Sequence, residues 1–194
     1  MQQAEVLDIF QKCGALLQGH FILTSGLRSA TFLQKARVFM YPAETEKLCK
    51  ALADKIQAAN LGPFDAIVSP AVGGLIPGYE TARHLNLPAL YVERENGEFR
   101  LRRFELASGS RVLVVEDIVS TGLSIRETVD CLKKIDVDVR GCACLIDRTD
   151  GEVDVGVPLV SLTGYKVPAY EPDKLPPELA AIPAVKPGSR GLSS

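Results

Sequence analysis

Short apolar runs alternate along the chain with segments in which apolar residues recur every three or four positions. The clearest helical segment is 43–60, where Leu48, Leu52 and Ile56 line one face. Continuous apolar runs are typical of strands that are buried on both faces of a sheet. These runs are 65–68, 89–92, 112–115, 137–146 and 158–162. Because strands alternate with helices, the sequence predicts an α/β fold with a doubly wound parallel sheet.

The two ends of the chain depart from this alternation. Apolar spacing predicts a helix over 4–17, and two short apolar runs around a Gly-containing loop predict a hairpin. Six of the twelve prolines lie from residue 168 onward and indicate an extended tail with one helical turn near 177–181. We therefore predict a single domain, in which 1–40 and the C-terminal tail form a small N-terminal hood over an α/β core of about 43–165.

The strand over 112–115 leads into the segment with the strongest chemical pattern. Glu116 and Asp117 close the apolar run, and a helix-like stretch begins at Ile125. Between them lies a loop of small and hydroxyl residues, 120–124 (STGLS). Such a loop at the carboxyl end of a strand presents N–H groups and hydroxyls at a helix N-terminus, which favours phosphate binding. Carboxylates beside a phosphate are compatible with it if they act through a divalent cation or hold sugar hydroxyls.

Composition and charge narrow the class of protein only slightly. The 194 residues are enough for one domain with a sizeable core, and the net charge of −2 gives no indication of a nucleic-acid or membrane partner. The N-terminus lacks the pattern of a signal peptide, and no apolar run approaches membrane-spanning length. Five cysteines without a C-x-x-C pair indicate reduced, buried thiols of a cytoplasmic protein, and His20 and His84 lack zinc-ligand spacing.

The segment 111–125 (RVLVVEDIVSTGLSI) resembles the phosphoribosyl-diphosphate (PRPP) signature of the type I phosphoribosyltransferases. In that family two acidic residues close a hydrophobic strand, and a hydroxyl-Gly loop holds the ribose 5-phosphate. Residues 19–29 (GHFILTSGLRS) resemble the N-terminal hairpin of the orotate phosphoribosyltransferases, and 69–74 (SPAVGG) resemble their diphosphate-facing loop. Arg148 falls where that family places an orotate-binding arginine. The similarity extends across nearly the whole chain.

The resemblance implies a type I phosphoribosyltransferase fold and transfer of the ribosyl phosphate of PRPP to orotate. The products would be orotidine 5′-monophosphate and diphosphate, in de novo pyrimidine (UMP) biosynthesis. It implies catalytic roles for Asp117, Glu116 and Arg94, and orotate contacts for Ser120 and Arg148. It implies PRPP contacts for Glu116, Asp117, Ile118, Val119, Ser120, Thr121, Gly122, Leu123, Ser124, Gly73, Gly74, Arg94, Arg102 and Arg103. Mg²⁺ is expected to arrive with PRPP, without a direct protein ligand.

The charged segment 93–110 supports two interpretations. Charge-rich segments are usually solvated loops. Alternatively, its arginines close over the diphosphate as a lid, neutralise its charge and exclude water. In orotate phosphoribosyltransferases this loop reaches the neighbouring subunit's site, so the resemblance implies a homodimer with a shared loop. Relatives carry Lys and His in the loop, and Lys where this chain has Thr24. We therefore expect Arg94, Arg102 or Arg103 to do this work, with Arg94 the first choice.

Several alternatives remain open from the sequence. Arg148 could form an ion pair with Asp147 or Asp150 at a strand end, although its planar fork suits the carboxylate of orotate. The Gly73-Gly74 pair could serve tight packing instead of bringing N–H groups to a diphosphate. The enzyme could use another base, such as a purine. A PRPP-sensing regulator would require a basic surface or an appended DNA-binding helix pair, and a scaffold with degenerate loops would not need intact acids and hydroxyls.

Overall fold

The computed structural model describes residues 1–23 and 25–187; Thr24, where the hairpin differs from relatives, lies outside the described residues. A two-stranded hairpin precedes a six-stranded sheet. The strands are β1 (Leu16–Ile22), β2 (Arg28–Leu33), β3 (Ala66–Pro70), β4 (Ala89–Glu95), β5 (Glu98–Arg100), β6 (Arg111–Val119), β7 (Asp138–Asp147) and β8 (Leu159–Gly164). The helices are α1 (Gln3–Lys12), α2 (Pro42–Ala58), α3 (Leu75–Leu85), α4 (Leu123–Lys133) and α5 (Pro177–Ala180), with a 3₁₀ helix at Lys35–Met40.

The order of strands across the large sheet is β5-β4-β3-β6-β7-β8. All neighbours pair in parallel except β4 and β5, which form an antiparallel ribbon. The five parallel strands, numbered in chain order, therefore lie in the order 2-1-3-4-5. This is a doubly wound sheet, as predicted, and its strand order reverses between β3 and β6. Ligands of such sheets bind at this switch point, outside the carboxyl ends of the strands.

Strand β6 is buried on both faces, which explains why its apolar residues do not alternate with polar ones. Leu113 and Val115 face a core layer shared with α1 and α2, which includes Phe10 and Leu52. Val112 and Val114 face the opposite layer, which is closed by α4. Burial of each such side chain stabilises the fold by about 1.5–3 kcal/mol. The sheet therefore holds the carboxyl end of β6 between two packed layers.

The N-terminal elements and the tail lie together. The helix predicted over 4–17 is too long, because α1 ends at Lys12 and Gly14 has a φ of +63°. Residues beyond this turn enter β1 instead. The tail runs along the hairpin, where the Ile22 N–H donates to the Val185 carbonyl at 2.8 Å and the Arg28 N–H donates to the Tyr170 carbonyl at 2.8 Å. The predicted hairpin and the helical turn near 177–181 are both present.

Other sequence-based boundaries change where strand pairing decides them. Strand β6 continues past Glu116 and Asp117, because Ile118 and Val119 pair with Ile146 and Asp147 of β7. The carboxylates therefore lie within the second half of a strand. Helical spacing after Ile125 predicts that Ile135 faces inward, but this residue follows the end of α4 and is 45% exposed.

The cysteines have the state that the sequence predicts. All five cysteines are free thiols; Cys131 is partly buried and the other four are buried. In residues 1–23 and 25–187, no helix combines the length and the apolar character that crossing a membrane requires.

Candidate functional site

The loops that follow β3 and β6 meet at the switch point of the sheet. A Cβ atom on Gly73 would lie 2.6 Å from Asp117 Oδ2, and one on Gly74 would lie 2.9 Å from the Val115 carbonyl oxygen. Contacts this short exclude any side chain at either position. Tight packing is therefore sufficient to require both glycines. The same packing sets the backbone of this loop directly against the Asp117 carboxylate.

The two acids are buried and have different partners. Glu116 is 6% exposed and Asp117 is 1% exposed. Glu116 Oε1 accepts the Asp117 N–H at 3.0 Å. Burial raises the pKa of Glu116 to about 8, and the charge of Asp117 acts in the same direction. Glu116 therefore keeps its proton at neutral pH.

The Asp117 carboxylate has one satisfied oxygen and one free oxygen. Its Oδ1 accepts the Ile118 N–H at 2.6 Å and the Lys35 ammonium at 2.7 Å. Its Oδ2 is buried and has no hydrogen-bond partner among the described residues. An unpaired buried carboxylate oxygen is costly, so it indicates a position where a ligand donates or coordinates.

The predicted phosphate loop closes around a small cavity. Gly122 has a φ of +71° and precedes the first residue of α4, so the chain turns sharply into the helix. The cavity has a volume of about 30 Å³ and is lined by Glu116, Ile118, Val119, Ser120, Thr121, Gly122, Leu123, Ser124 and Ile125. Every residue of the sequence-predicted loop thus lies around one cavity at a helix N-terminus, where N–H groups favour an anion.

Arg126 connects this loop to the loop after β7. Its Nη2 donates to the Thr121 carbonyl and its Nη1 donates to the Asp154 carbonyl, both at 2.9 Å. A Cβ atom on Gly122 would lie 2.9 Å from the same guanidinium and 2.7 Å from Val155. The glycine therefore lets the two loops pack together, and Arg126 holds them in register.

Arg148 lies beside the phosphate loop without a counter-ion. Its N–H donates to the Val119 carbonyl at 2.8 Å, which places it next to Ser120. The Asp147 carboxylate accepts from Thr149 and from the Gly151 N–H instead.

The side chain of Arg148 is accordingly available to a ligand. It forms no ion pair with any described residue, and its buried Nε has no partner there. Burial lowers its pKa from the ordinary value. The strand-end ion pair with Asp147 or Asp150 is therefore not formed.

The arginines of the β4–β5 ribbon and of the loop that follows it are paired with nearby glutamates. Arg94 donates to the Gly97 carbonyl at 2.6 Å, forms an ion pair with Glu127 of α4, and lies 4.2 Å above the Phe99 ring. Arg103 Nε donates to Glu93 at 2.8 Å, and Arg102 Nε lies 3.2 Å from Glu95. Among the described residues, none of these arginines contacts Asp117. Arg94 lies on the ribbon, whereas Arg102 and Arg103 lie in the loop that follows β5.

Two residues of the site were missed by the sequence reasoning. Lys35 lies 82 positions before its partner Asp117, and no spacing rule connects a 3₁₀ helix in the hood to a strand of the core. Arg126 occupies the first turn of α4, where a surface position is the ordinary expectation. Only the folded arrangement shows that each of these side chains contacts the predicted loops.

A cluster away from the switch point could superficially suit a metal ion. Glu46, Glu80 and His84 have ligand atoms within 4.8 Å of one another. Arg83 donates to both carboxylates, at 2.9 Å to Glu46 and 2.6 Å to Glu80. The guanidinium already supplies the positive charge that a cation would bring, so this cluster is a surface ion-pair network.

Comparisons with known proteins agree on the family. The family description "Phosphoribosyl transferase domain" matches residues 41–163. A curated protein of Brucella anthropi, named orotate phosphoribosyltransferase, is 65% identical over 192 residues, which is 99% of this chain and 100% of that protein. The solved orotate phosphoribosyltransferase of Aeropyrum pernix is 26% identical, with a TM-score of 0.68 over 82% of this chain and 93% of that one.

A more distant structure shows how little the fold alone says about the base. The adenine phosphoribosyltransferase of Thermoanaerobacter pseudethanolicus has a TM-score of 0.59 at 18% identity, covering 70% of this chain and 88% of that one. Similarity at that level shows the fold only. The identity of the base therefore depends on the full-length relatives and on the side chains of the site.

Proposed function

The chain belongs to the phosphoribosyltransferase family, in its orotate phosphoribosyltransferase branch, and we propose that it transfers the ribosyl phosphate of PRPP to orotate. The products are orotidine 5′-monophosphate and diphosphate, and the reaction serves de novo UMP synthesis in the cytoplasm. The observation that carries the choice of orotate is Arg148, a half-buried arginine whose buried Nε has no partner among the described residues and which lies beside the phosphate loop. A carboxylated base supplies the charge that Arg148 lacks.

The PRPP half of the site is formed by the two loops at the switch point. Ser120 to Ser124 hold the 5-phosphate through N–H groups and hydroxyls, and the Gly73-Gly74 backbone faces the diphosphate. Glu116 and Asp117 hold the ribose hydroxyls. Protonated Glu116 is able to donate to a ribose oxygen, whereas the free Oδ2 of Asp117 accepts from one. The two neighbouring acids therefore take complementary hydrogen-bonding roles.

The orotate half of the site lies between Ser120 and Arg148. A guanidinium binds a carboxylate through two parallel N–H···O bonds, which a lysine cannot reproduce. The Ser120 hydroxyl is able to accept or donate to a ring substituent. Uracil lacks the carboxylate and leaves the buried guanidinium unpaired, so the site selects against it.

Catalysis requires alignment and charge stabilisation rather than a protein nucleophile. Orotate N1 attacks C1 of PRPP, the C1–O bond to diphosphate breaks, and its electron pair leaves with the diphosphate. The transition state has oxocarbenium character, as in other glycosyl displacements. Asp117 lies where its negative charge stabilises the positive ribosyl ring. Fixing both substrates in one site supplies a large part of the rate enhancement.

Mg²⁺ is the proposed cofactor, carried mainly by the oxygens of PRPP. This ion keeps several waters and binds substrate phosphate oxygens rather than a complete protein cage, so it requires no direct ligand from Glu116 or Asp117. When bound, the ion offsets the negative charge of the diphosphate. The protein's own contribution is to orient the ribose and to exclude water.

A homodimer is proposed from an exposed apolar surface beside the diphosphate-facing loop. Val72 is 80% exposed and Tyr79 is 67% exposed. A cavity of about 250 Å³ opens on this surface and is lined by Phe39, Pro42, Thr45, Leu75, Ile76, Tyr79 and Glu80. Contiguous apolar surface of this kind marks an interaction site. The resemblance to orotate phosphoribosyltransferases implies that a second copy brings its segment 93–110 to the first copy's site.

Sedimentation at micromolar concentration tests the dimer. The wild-type chain is expected to sediment as a dimer, and Tyr79→Asp is expected to shift it toward the monomer because a charge in an apolar interface is strongly unfavourable. Lys50→Asp, on the exposed face of α2, is the matched control. A monomeric wild type would contradict the proposal.

The activity itself is tested by following orotate absorbance with PRPP and Mg²⁺. Parallel reactions contain uracil, hypoxanthine or adenine in place of orotate. Consumption of orotate alone is the expected result. Preferential consumption of a purine would favour a phosphoribosyltransferase for another base, and no consumption of any base would favour a PRPP-sensing regulator.

A further inference from the structure

Lys35 joins the hood to the buried acid pair. It lies in the 3₁₀ helix that follows the hairpin, and its Nζ contacts Asp117 Oδ1 at 2.7 Å. The side chain of Asp117 is 1% exposed, whereas that of Lys35 is 44% exposed. The ammonium therefore sits at the mouth of the site, with a buried carboxylate on one side and solvent on the other.

The ammonium has donors that the protein does not use. Lysine carries three N–H donors, and Asp117 takes one of them. No other acceptor bonds to Lys35 in the described part of the chain. Two donors therefore remain at the mouth of the site, available to a ligand.

The position of these donors indicates which part of the ligand they contact. Lys35 approaches Asp117 at Oδ1, and the Gly73 backbone packs against Oδ2 of the same carboxylate. One carboxylate thus separates the ammonium from the loop that faces the diphosphate. A diphosphate bound along Gly73-Gly74 lies within reach of a side chain as long as lysine.

The charge balance of the site also indicates that Lys35 contacts the diphosphate. PRPP brings two phosphate-bearing ends into a site that already contains two acids, so cations are required. The arginines of the ribbon are occupied by glutamates, and Arg148 lies at the base-binding end. Among the described residues, Lys35 is the cation in direct contact with the acid pair.

We propose that Lys35 is a catalytic residue that binds the diphosphate of PRPP, an inference that rests on the proposed function. Its Nζ keeps the bond to Asp117 and donates its remaining N–H groups to diphosphate oxygens. As the C1–O bond breaks, negative charge accumulates on those oxygens, and the ammonium stabilises it. Lys35 stays protonated throughout, so no proton is transferred in this step.

Diphosphate binding and steady-state kinetics of Lys35→Gln test the proposal. The expected result is a 10- to 100-fold fall in kcat/KM for PRPP and at least a tenfold weaker calorimetric Kd for magnesium diphosphate. The KM for orotate is expected to change by less than about threefold, because Arg148 holds the base. Lys47→Gln removes an exposed lysine paired with Glu44 at 2.8 Å and serves as the matched control.

A second pair of variants separates binding from folding. Loss of Lys35 leaves the buried Asp117 without its cation, so Lys35→Gln could lower the melting temperature. Magnesium diphosphate is therefore also titrated into Asp117→Asn and into the double variant Lys35→Gln/Asp117→Asn. Neither variant contains a buried carboxylate at position 117, so neither has an unpaired charge there. If the double variant binds magnesium diphosphate at least tenfold more weakly than Asp117→Asn does, Lys35 contacts the diphosphate directly. Equal diphosphate affinities of these two variants would overturn the proposal.

The outcomes distinguish this inference from the proposed function. If the wild type consumes orotate and Lys35→Gln keeps wild-type diphosphate affinity and kcat/KM, Lys35 is only an ion-pair partner and the function stands. If the wild type consumes no orotate, the function is wrong. The diphosphate titrations then still decide whether Lys35 contacts the anion.

Discussion

Two charged regions of the molecule differ in how their charges are satisfied. At the carboxyl ends of β6 and β7 the charged groups are buried or half-buried, and the buried atoms Asp117 Oδ2 and Arg148 Nε have no partner among the described residues. On the β4–β5 ribbon and the loop after it the arginines are exposed, and Arg94, Arg102 and Arg103 each have a glutamate partner. The first region is incomplete without a ligand, whereas the second is complete by itself.

This difference in how the charges are paired indicates that the two regions have different functions. A buried polar atom without a partner costs about 1–3 kcal/mol, so two such atoms in one site indicate positions that ligands complete. An exposed ion pair contributes only about 0–1 kcal/mol, so a ribbon held by such pairs is able to exchange its partners readily. The switch point is therefore a fixed binding site. The ribbon suits a lid that exchanges glutamates for diphosphate.

The largest expected effect is that of Asp117→Asn. The amide keeps the shape of the side chain but loses the charge that stabilises the ribosyl cation, so kcat is expected to fall about 10²- to 10³-fold. Thermal unfolding should change far less than turnover. Asp54→Asn on the exposed face of α2 is the control. Near-normal turnover by Asp117→Asn would show that the assigned role is wrong.

Arg148→Ala is expected to have the next largest effect. Loss of the guanidinium group should raise the KM for orotate about 10- to 100-fold, because its charge-assisted hydrogen bonds to the base are removed. The KM for PRPP should change little. Arg140→Ala, which breaks an exposed ion pair with Asp138 on the same strand, is the control. Steady-state kinetics with each substrate varied in turn provide the measurement. Equal losses for both ligands would argue against a base-binding role.

Glu116→Gln is expected to change how stability depends on pH. The folded-state pKa of Glu116 is raised to about 8 by burial, so the folded chain holds this proton between about pH 4.5 and 8. The stability linked to that proton is fully present below the unfolded pKa and is lost as pH rises through 8. Glutamine never ionises. We therefore expect the advantage of the variant over the wild type in unfolding free energy to grow by about 2–3 kcal/mol between pH 6 and pH 9.

Urea unfolding at both pH values measures this difference. Glu98→Gln, an exposed position on the ribbon, controls for the loss of a surface carboxylate. A variant whose advantage over the wild type is the same at pH 6 and pH 9 would mean that Glu116 does not carry a raised pKa.

The smallest effect is expected on the ribbon. Arg94→Gln should lower kcat by about five- to tenfold, since the arginine must leave Glu127 before it can contact diphosphate. Arg100→Gln, which pairs with Glu95 and Glu98 within the ribbon, should change kcat by less than twofold. Turnover assays of the two variants side by side make the comparison. Equal effects would leave Arg94 without a special role.

Sequence reasoning succeeded where one physical rule decided the outcome. The unbroken apolar run of β6 required burial on both faces, and the acids and hydroxyls that follow it had to lie at the carboxyl edge of the sheet. The glycines at 73, 74 and 122 were each required by a close approach or a positive φ. Local chemistry and topology together were sufficient to locate the predicted PRPP loop.

The remaining features depend on tertiary contacts. The end of β6 is set by its pairing with β7, so the apolar run alone placed the acids after the strand. Lys35 is brought to Asp117 by the packing of the hood on the core, and Arg126 to the Asp154 carbonyl by the meeting of two loops. The ion pair of Arg94 with Glu127 depends on the packing of the ribbon against α4. None of these contacts has a signal in residue spacing.

The most direct test of the account is product analysis of the wild-type reaction. Equimolar orotate and PRPP are incubated with Mg²⁺, and orotidine 5′-monophosphate and diphosphate are quantified by chromatography, with a chelator-treated reaction and a uracil reaction in parallel. The account predicts one nucleotide and one diphosphate for each orotate consumed, and little product with chelator or with uracil. Absence of the nucleotide, or equal product from uracil, would contradict it.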